Sequence, residues 1–394
     1  MKLNHGLHLA YCTNIHRGEA WPETFDSLQH YTLAVRDKTN LQAPFAIGLR
    51  LSERAAVGLG ERGNMREFRR WLEKNSCYVF TLNGFPYGQF HGTRVKEQVY
   101  RPDWTSPERV AYTNRLFDLL AELLPANITG SVSTLPGSFK EFDLSATALK
   151  TIRQNLWRTI EHIADVSEKT GRKLHLGLEP EPLCLLENSA ETVQFFERLR
   201  SEHKNDPRFD EHLGVNYDCC HFAVEFEEPQ NAITALQQAG IKISKIHLSS
   251  ALKVLPTPSA RNALKHFSDD VYLHQVAARD ESGNQIIYRD LPDALAFTNR
   301  KSEIENGKLP EWRIHFHVPL HAPVAPPFEN TTDHLLGVLD LLQLDPQLCP
   351  HLEMETYTWE VLPPELKSQN VVDQLAAEYS WTLAELAKRG LASR

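Results

Sequence analysis

The chain has little of what marks membrane, secreted or dinucleotide-binding proteins. Its 394 residues contain no run of about 18 apolar residues, so no membrane-spanning helix is expected. The start, MKLNHGLHLAYC, has no long apolar core after its lysine, which predicts no signal peptide. Its six cysteines, Cys12, Cys77, Cys184, Cys219, Cys220 and Cys349, include no C-x-x-C pair and do not read as a disulfide framework. A reducing, cytoplasmic setting is the simpler expectation. Positive charge is short: 42 Lys and Arg against 51 Asp and Glu give a net charge of −9, which argues against a duplex-DNA binder. No G-x-G-x-x-G follows a strand-like run, which removes the usual dinucleotide site.

What is present is a globular composition, 41% hydrophobic and 24% charged, with a high count of 18 His. The length fits a single large α/β domain of roughly 250 residues carrying insertions. Four apolar runs end in acidic or imidazole residues: LHLGLEPE (174–181), LGVNYDCCH (213–221), ISKIHLSS (243–250) and HLEMETY (351–357). One such ending means little, but four across half the chain point to a common centre.

In chain order, strand-like runs at 7–14, 45–51, 77–83, 127–135, 174–178, 213–217, 243–248 and 351–355 alternate with helical patterns. Ser106 with Pro107 opens one helix and Gly171 closes another. The irregular loop GFPYGQFHG (84–92) follows the third run. Alternation lapses over 251–311, where a Pro-rich stretch and a hairpin turning near Ser282–Asn284 read as an insertion at the strand-seven exit. Eight strand–helix units predict a (β/α)8 barrel over residues 1–394, with every acidic or His ending on its C-terminal face. The insertion is not expected to form an independent domain.

On that face, Glu179, Asp218, His247 and a carboxylate of the last strand form a mixed oxygen and nitrogen set without thiolate. Such a set suits Mn²⁺, Mg²⁺, Co²⁺, Fe²⁺ or Zn²⁺. Glu353 and Glu355 share one face, and Glu355 lies nearer the strand exit. Each candidate also has a structural alternative. Glu181 could pair with a lysine, Asp218 and His221 could be a hydrogen-bonded pair, and His247 a core histidine. Tyr87, Phe90 and Trp359 could merely pack, and Cys219 and Cys220 read as small fillers.

The order Glu179, Asp218-x-x-His221, His247, Glu355, each at a strand exit, resembles the xylose isomerase-like TIM barrels, which include sugar isomerases, ketose 3-epimerases and endonuclease IV-type AP endonucleases. The resemblance implies Glu179, Asp218, His247 and Glu355 as metal ligands and His221 as a substrate contact. Glu179 and Glu355 would act with it as the catalytic acid–base set that moves a proton between neighbouring carbons of a small polyhydroxylated or keto substrate. Glu181, His317, His91 and Tyr87 would add substrate contacts. More narrowly, FPYGQFHG, RIHFHVPLH (313–321) and HLEMETYTW (351–359) are similar to EboE-type metabolite traffic proteins, which implies a natural-product processing or transport pathway, with other pathway proteins or a second copy as partners. RIHFHVPLH adds His315, His317 and His321, and His8 and His91 could extend a cluster as in the three-zinc nucleases. Where those nucleases carry an acid, however, this chain has His315.

Overall fold

A computed structural model describes the chain apart from residues 40–42, 92–93, 205, 298–308, 323–324, 365–366, 368–369 and 394. Eight parallel strands build the centre: β1 (His8–Tyr11), β2 (Phe45–Arg50), β3 (Cys77–Asn83), β4 (Gly130–Thr134), β5 (Leu174–Leu178), β6 (Leu213–Asp218), β7 (Lys242–Leu248) and, last in the chain, β13 (His351–Met354). They pair in the order β1-β13-β7-β6-β5-β4-β3-β2, and a parallel bridge from Cys12 to Gly48 brings the two ends together. The result is the expected (β/α)8 barrel.

Burial explains why these runs become strands. β2, β4, β5 and β6 are buried at every position, covered by helices outside and by side chains within, so they read as continuous apolar runs rather than alternating ones. The outer helices dock through single apolar faces, as with Met65, Phe68 and Leu72 of helix Arg62–Lys74. Ser106, Ser145 and Asn188 cap helices by accepting from backbone N–H groups, and Gly171 closes the helix Ala146–Thr170 at φ 67°. The capping residue of helix Ser189–Glu202 is Asn188. The first helical segment runs as Trp21–Ser27, a wider turn at Leu28–Thr32, and Leu33–Thr39.

After β7 the chain leaves the barrel and builds a second, antiparallel sheet. Its strands are β8 (Ala251–Val254), β9 (Val276–Arg279), β10 (Gln285–Tyr288), β11 (Glu311–His317) and β12 (Phe328–Asn330), in the order β10-β9-β11-β8-β12. The expected hairpin is β9–β10, closed around Gly283. The sheet reaches beyond 311, because β11 pairs with both β8 and β9, and β12 pairs with β8. Residues 298–308 of the expected insertion lie outside the described residues. Leu252, Val254, Phe267, Trp312, Ile314 and Phe316 form its own apolar cluster. It remains tied to the barrel: the Val95 and Lys96 N–H groups donate to Val271 O at 2.9 and 3.0 Å, and Lys96 Nζ reaches Asp290 Oδ2 at 2.7 Å. Among the described residues, no helix is long and apolar enough to cross a membrane.

Candidate metal centre

Strand register brings the first candidates level. Asp218 of β6 and Glu353 of β13 are each the Cα partner of His247 in β7. Glu179 follows β5, its N–H donating to Thr134 O, and Glu355 follows β13, its N–H donating to Leu248 O. All of these positions are at the C-terminal ends of the strands, where barrel side chains converge.

The convergence point is Nδ1 of His247. Glu179 Oε1 lies 2.9 Å from it, Glu355 Oε2 3.1 Å and Asp218 Oδ2 3.3 Å. One ligand atom from each of these four residues can be chosen so that all lie within 4.8 Å of one another. Asp218 and His247 have no solvent exposure. Three buried carboxylates around one imidazole are stable only with positive charge between them. Burial opposes ionisation of Asp218, yet His221, His247 and His317 hold its carboxyl well below the usual range. Burial likewise opposes a charged His247, and Glu355 and Glu179 outweigh it.

Three features fit a divalent cation. Asp218 Oδ2 has no hydrogen-bond partner, while Oδ1 is fixed by the N–H groups of Cys220 and His221 and by Ser249 Oγ. Nε2 of His247 faces Glu353 Oε2 at 2.9 Å, and Lys245 Nζ braces the same oxygen at 2.7 Å, which leaves Nδ1 to present a lone pair. The donors are three oxygens and one nitrogen, with no thiolate. Glu353 is therefore directed at the far side of His247, and Glu355 is the carboxylate at Nδ1. Asn14 Nδ2 donates to Glu355 Oε1 at 2.8 Å.

A trio of imidazoles borders this centre. His221 Nδ1 donates to Pro180 O, His317 Nδ1 to Glu355 O and His315 Nδ1 to Gln275 Oε1, at 2.9, 2.9 and 2.8 Å. The Nε2 atoms of His315 and His317 are buried without partners. Asp218, His221 and His317 form one further group able to hold an ion, and Cys220, His315 and His317 form another. Glu181 accepts from Tyr100 OH at 2.7 Å, and burial, ahead of all other influences, raises its carboxyl to about 7.

Asn14, Glu179, Glu181, His221, His315 and Glu355 line a pocket over the centre, and Phe90 lines it too. Other candidates lie elsewhere. His91 stacks edge-on against Phe90, away from the pocket lining, its ring held neutral by burial and by Arg50, with a pKa of about 4. Tyr87 packs on Tyr112 with Arg109 across its ring. His8, at the start of β1, is at the opposite end of the barrel and meets Tyr78 OH at 2.8 Å. His321 and Trp359 are outside the pocket lining, and Cys219 packs in the main core. Sequence reading missed Asn14, Lys245, Tyr100 and Gln275. Lys245 carried a usable signal: it lies two residues before His247 in an apolar strand, so both point into the barrel.

The architecture, a (β/α)8 TIM barrel, is similar to that of several solved epimerase structures. Superposition on an L-ribulose 3-epimerase gives a TM-score of 0.52 at 12% identity, over 99% of this chain and 96% of that one. A D-allulose 3-epimerase from Methylomonas sp. gives 0.51 at 10% identity over 98% and 100%, and a D-tagatose 3-epimerase-like protein 0.50 at 11% over 97% of each chain. No family model and no curated protein sequence matches the chain.

Proposed function

We propose that the chain is a divalent-metal-dependent isomerase or epimerase acting by proton transfer on a small polyhydroxylated or keto metabolite. The observation that carries this reading is the convergence of Glu179, after β5, and Glu355, after β13, on His247 Nδ1 at 2.9 and 3.1 Å, both in the pocket lining. Glu179, Asp218, His247 and Glu355 would hold the ion, which when bound would polarise a substrate carbonyl and make the adjacent C–H more acidic. Of the flanking carboxylates, one takes the proton from one face and the other returns it from the opposite face. Asn14 orients Glu355 through its 2.8 Å hydrogen bond, and His221, with Nδ1 tied to Pro180 O, presents Nε2 as a substrate contact. The pathway setting implied by the EboE-type segments, and the homo-oligomeric or protein partners it brings, belong to the same proposal.

Asp218→Ala is expected to abolish co-purifying metal in elemental analysis. Glu355→Gln should retain metal but lose at least about 100-fold in wash-in of solvent deuterium at the substrate carbon. A wild-type protein that takes up no stoichiometric divalent ion under any condition contradicts the reading. One alternative, a zinc phosphodiesterase of the endonuclease IV type, draws on the unpartnered Nε2 atoms of His315 and His317. Cleavage of an abasic-site duplex would support it. A non-catalytic binding module is the other alternative, and it predicts metabolite binding that survives separate substitution of Glu179 and Glu355.

A further inference from the structure

Three residues of the pocket lining each hold a buried polar atom with no hydrogen-bond partner among the described residues: Tyr272 OH, Asn14 Oδ1 and His315 Nε2. The residues themselves are only 5%, 2% and 3% exposed. A buried group in that state has given up water without gaining a bond, at a cost of about 1–3 kcal/mol. Two of the three belong to the second sheet and its connections: Tyr272 lies between β8 and β9, and His315 is in β11.

Their neighbours fix what each atom can do. Tyr272 packs on Phe90 and Tyr357, with ring centres 5.0 and 5.5 Å away, which holds its hydroxyl in place as both donor and acceptor. Asn14 Nδ2 donates to Glu355 Oε1 at 2.8 Å, which leaves Oδ1 as an acceptor. Gln275 Nε2 donates to Pro182 O at 3.0 Å and to Tyr100 OH at 2.9 Å, so its Oε1 accepts from His315 Nδ1 at 2.8 Å. His315 Nε2 therefore carries a lone pair, and burial, with His221 and His317 alongside, holds that ring neutral.

Two acceptors and one hydroxyl call for a ligand that donates. An ionised carboxylate or phosphate brings acceptor oxygens only. Lys96 is the only lysine or arginine among the described lining residues, and its ammonium is bound by Asp290 Oδ2 at 2.7 Å and Asp269 O at 2.9 Å. The enclosed space of about 50 Å³ has room for roughly three to five non-hydrogen atoms.

We propose that Tyr272, Asn14 and His315 are specificity-determining residues that bind hydroxyls of a small, uncharged polyol, beyond the oxygens held at the Glu179–Asp218–His247–Glu355 centre. The inference rests on the proposed function for the metal-bound end, whereas the hydroxyl contacts stand on the three unpartnered atoms. The second sheet then selects the substrate, and the barrel supplies the chemistry.

Two four-carbon ketones share one hydroxymethyl ketone head: erythrulose, with a hydroxyl on each remaining carbon, and 1-hydroxy-2-butanone, with none. Calorimetric titration of the full chain loaded with Mn²⁺ should show erythrulose, in its better-bound enantiomer, at least ten-fold tighter. Dihydroxyacetone phosphate should bind no tighter than dihydroxyacetone. Tyr272→Phe should lower erythrulose affinity at least five-fold and that of 1-hydroxy-2-butanone less than two-fold. It should also leave the thermal midpoint of the unliganded chain unchanged or higher, because the hydroxyl removed has no partner there. A smaller preference, equal losses for the two ketones, a lowered midpoint or tighter binding of the phosphate overturns the inference. Failure to load Mn²⁺ counts against the proposed function instead. The two ketones are then titrated on the metal-free chain: a preference for erythrulose that Tyr272→Phe removes supports the inference, and no such preference overturns it.

Discussion

Both ring nitrogens of His247 meet carboxylates, and the two encounters differ in kind. At Nε2 the carboxylate is Glu353, matched by Lys245, so that side is a closed ion pair deep in the barrel. Burial resists ionisation of Glu353, but Lys245 and His247 together draw it down to about 2. At Nδ1 three carboxylates meet, and among the described residues no lysine or arginine forms an ion pair with them. Removing Lys245 strands a buried charge: Lys245→Ala is expected to cost about 3–5 kcal/mol, seen as a lowered denaturation midpoint. Lys245→Met combined with Glu353→Gln should recover most of that loss, and a double variant as unstable as the single one would refute the pairing. The choice of Glu355 over Glu353 was legible only as nearness to the strand exit, because both share a face. What separates them physically is Lys245, whose two-residue spacing from His247 was visible but unread.

The strands were legible as elements because each is a short apolar run bounded by turn residues, and their acidic ends announced the working face. The second sheet was not. β11 carries His315 and His317 in an alternating strand pattern, but nothing local shows that it pairs with β8, some sixty residues earlier. Its pairing with β9 brings His315 beside Gln275, which fixes its ring, and so makes the second sheet part of the site wall. Within the barrel, β2 has its own requirement. A Cβ on Gly48 would lie 1.8 Å from Glu353 Oε1 and 2.7 Å from Tyr11 O, so the bare backbone there makes room for the Glu353 carboxylate. Gly48→Ala is predicted to destabilise the fold by about 1–3 kcal/mol or more, measured as a drop in thermal midpoint, while the exposed Gly63→Ala leaves it unchanged or raised. Equal effects of the two would contradict this packing.

At the scale of the whole molecule, buried carboxyls outside the centre set a pH dependence of stability. Glu378 in the last helix accepts from Leu320 N–H at 3.2 Å, and burial raises its carboxyl from an ordinary 4.5 to about 7. Glu225, which accepts from Gln285 Nε2 at 3.1 Å, is raised by burial and by Glu187 to about 8. Each folded-state pKa lies above the unfolded one, so the folded chain holds these protons more tightly. Their stabilising contribution is complete below about pH 4.5 and is lost as pH rises through about 7 and 8 respectively. Glu378→Gln should therefore gain on wild type by about 2–3 kcal/mol between pH 5 and pH 8.5, read as a widening difference in thermal midpoint. A difference that stays constant with pH would show that Glu378 is ionised in the folded chain.

Charge neutralisation at His247 Nδ1 by a divalent cation is the claim on which the functional reading depends. Crystals grown with Mn²⁺ and measured near its absorption edge test it directly. The expected result is an anomalous peak about 2.0–2.4 Å from Nδ1 of His247 and from one oxygen each of Glu179, Asp218 and Glu355. No peak there, or a peak confined to His221, His315 and His317, would contradict it.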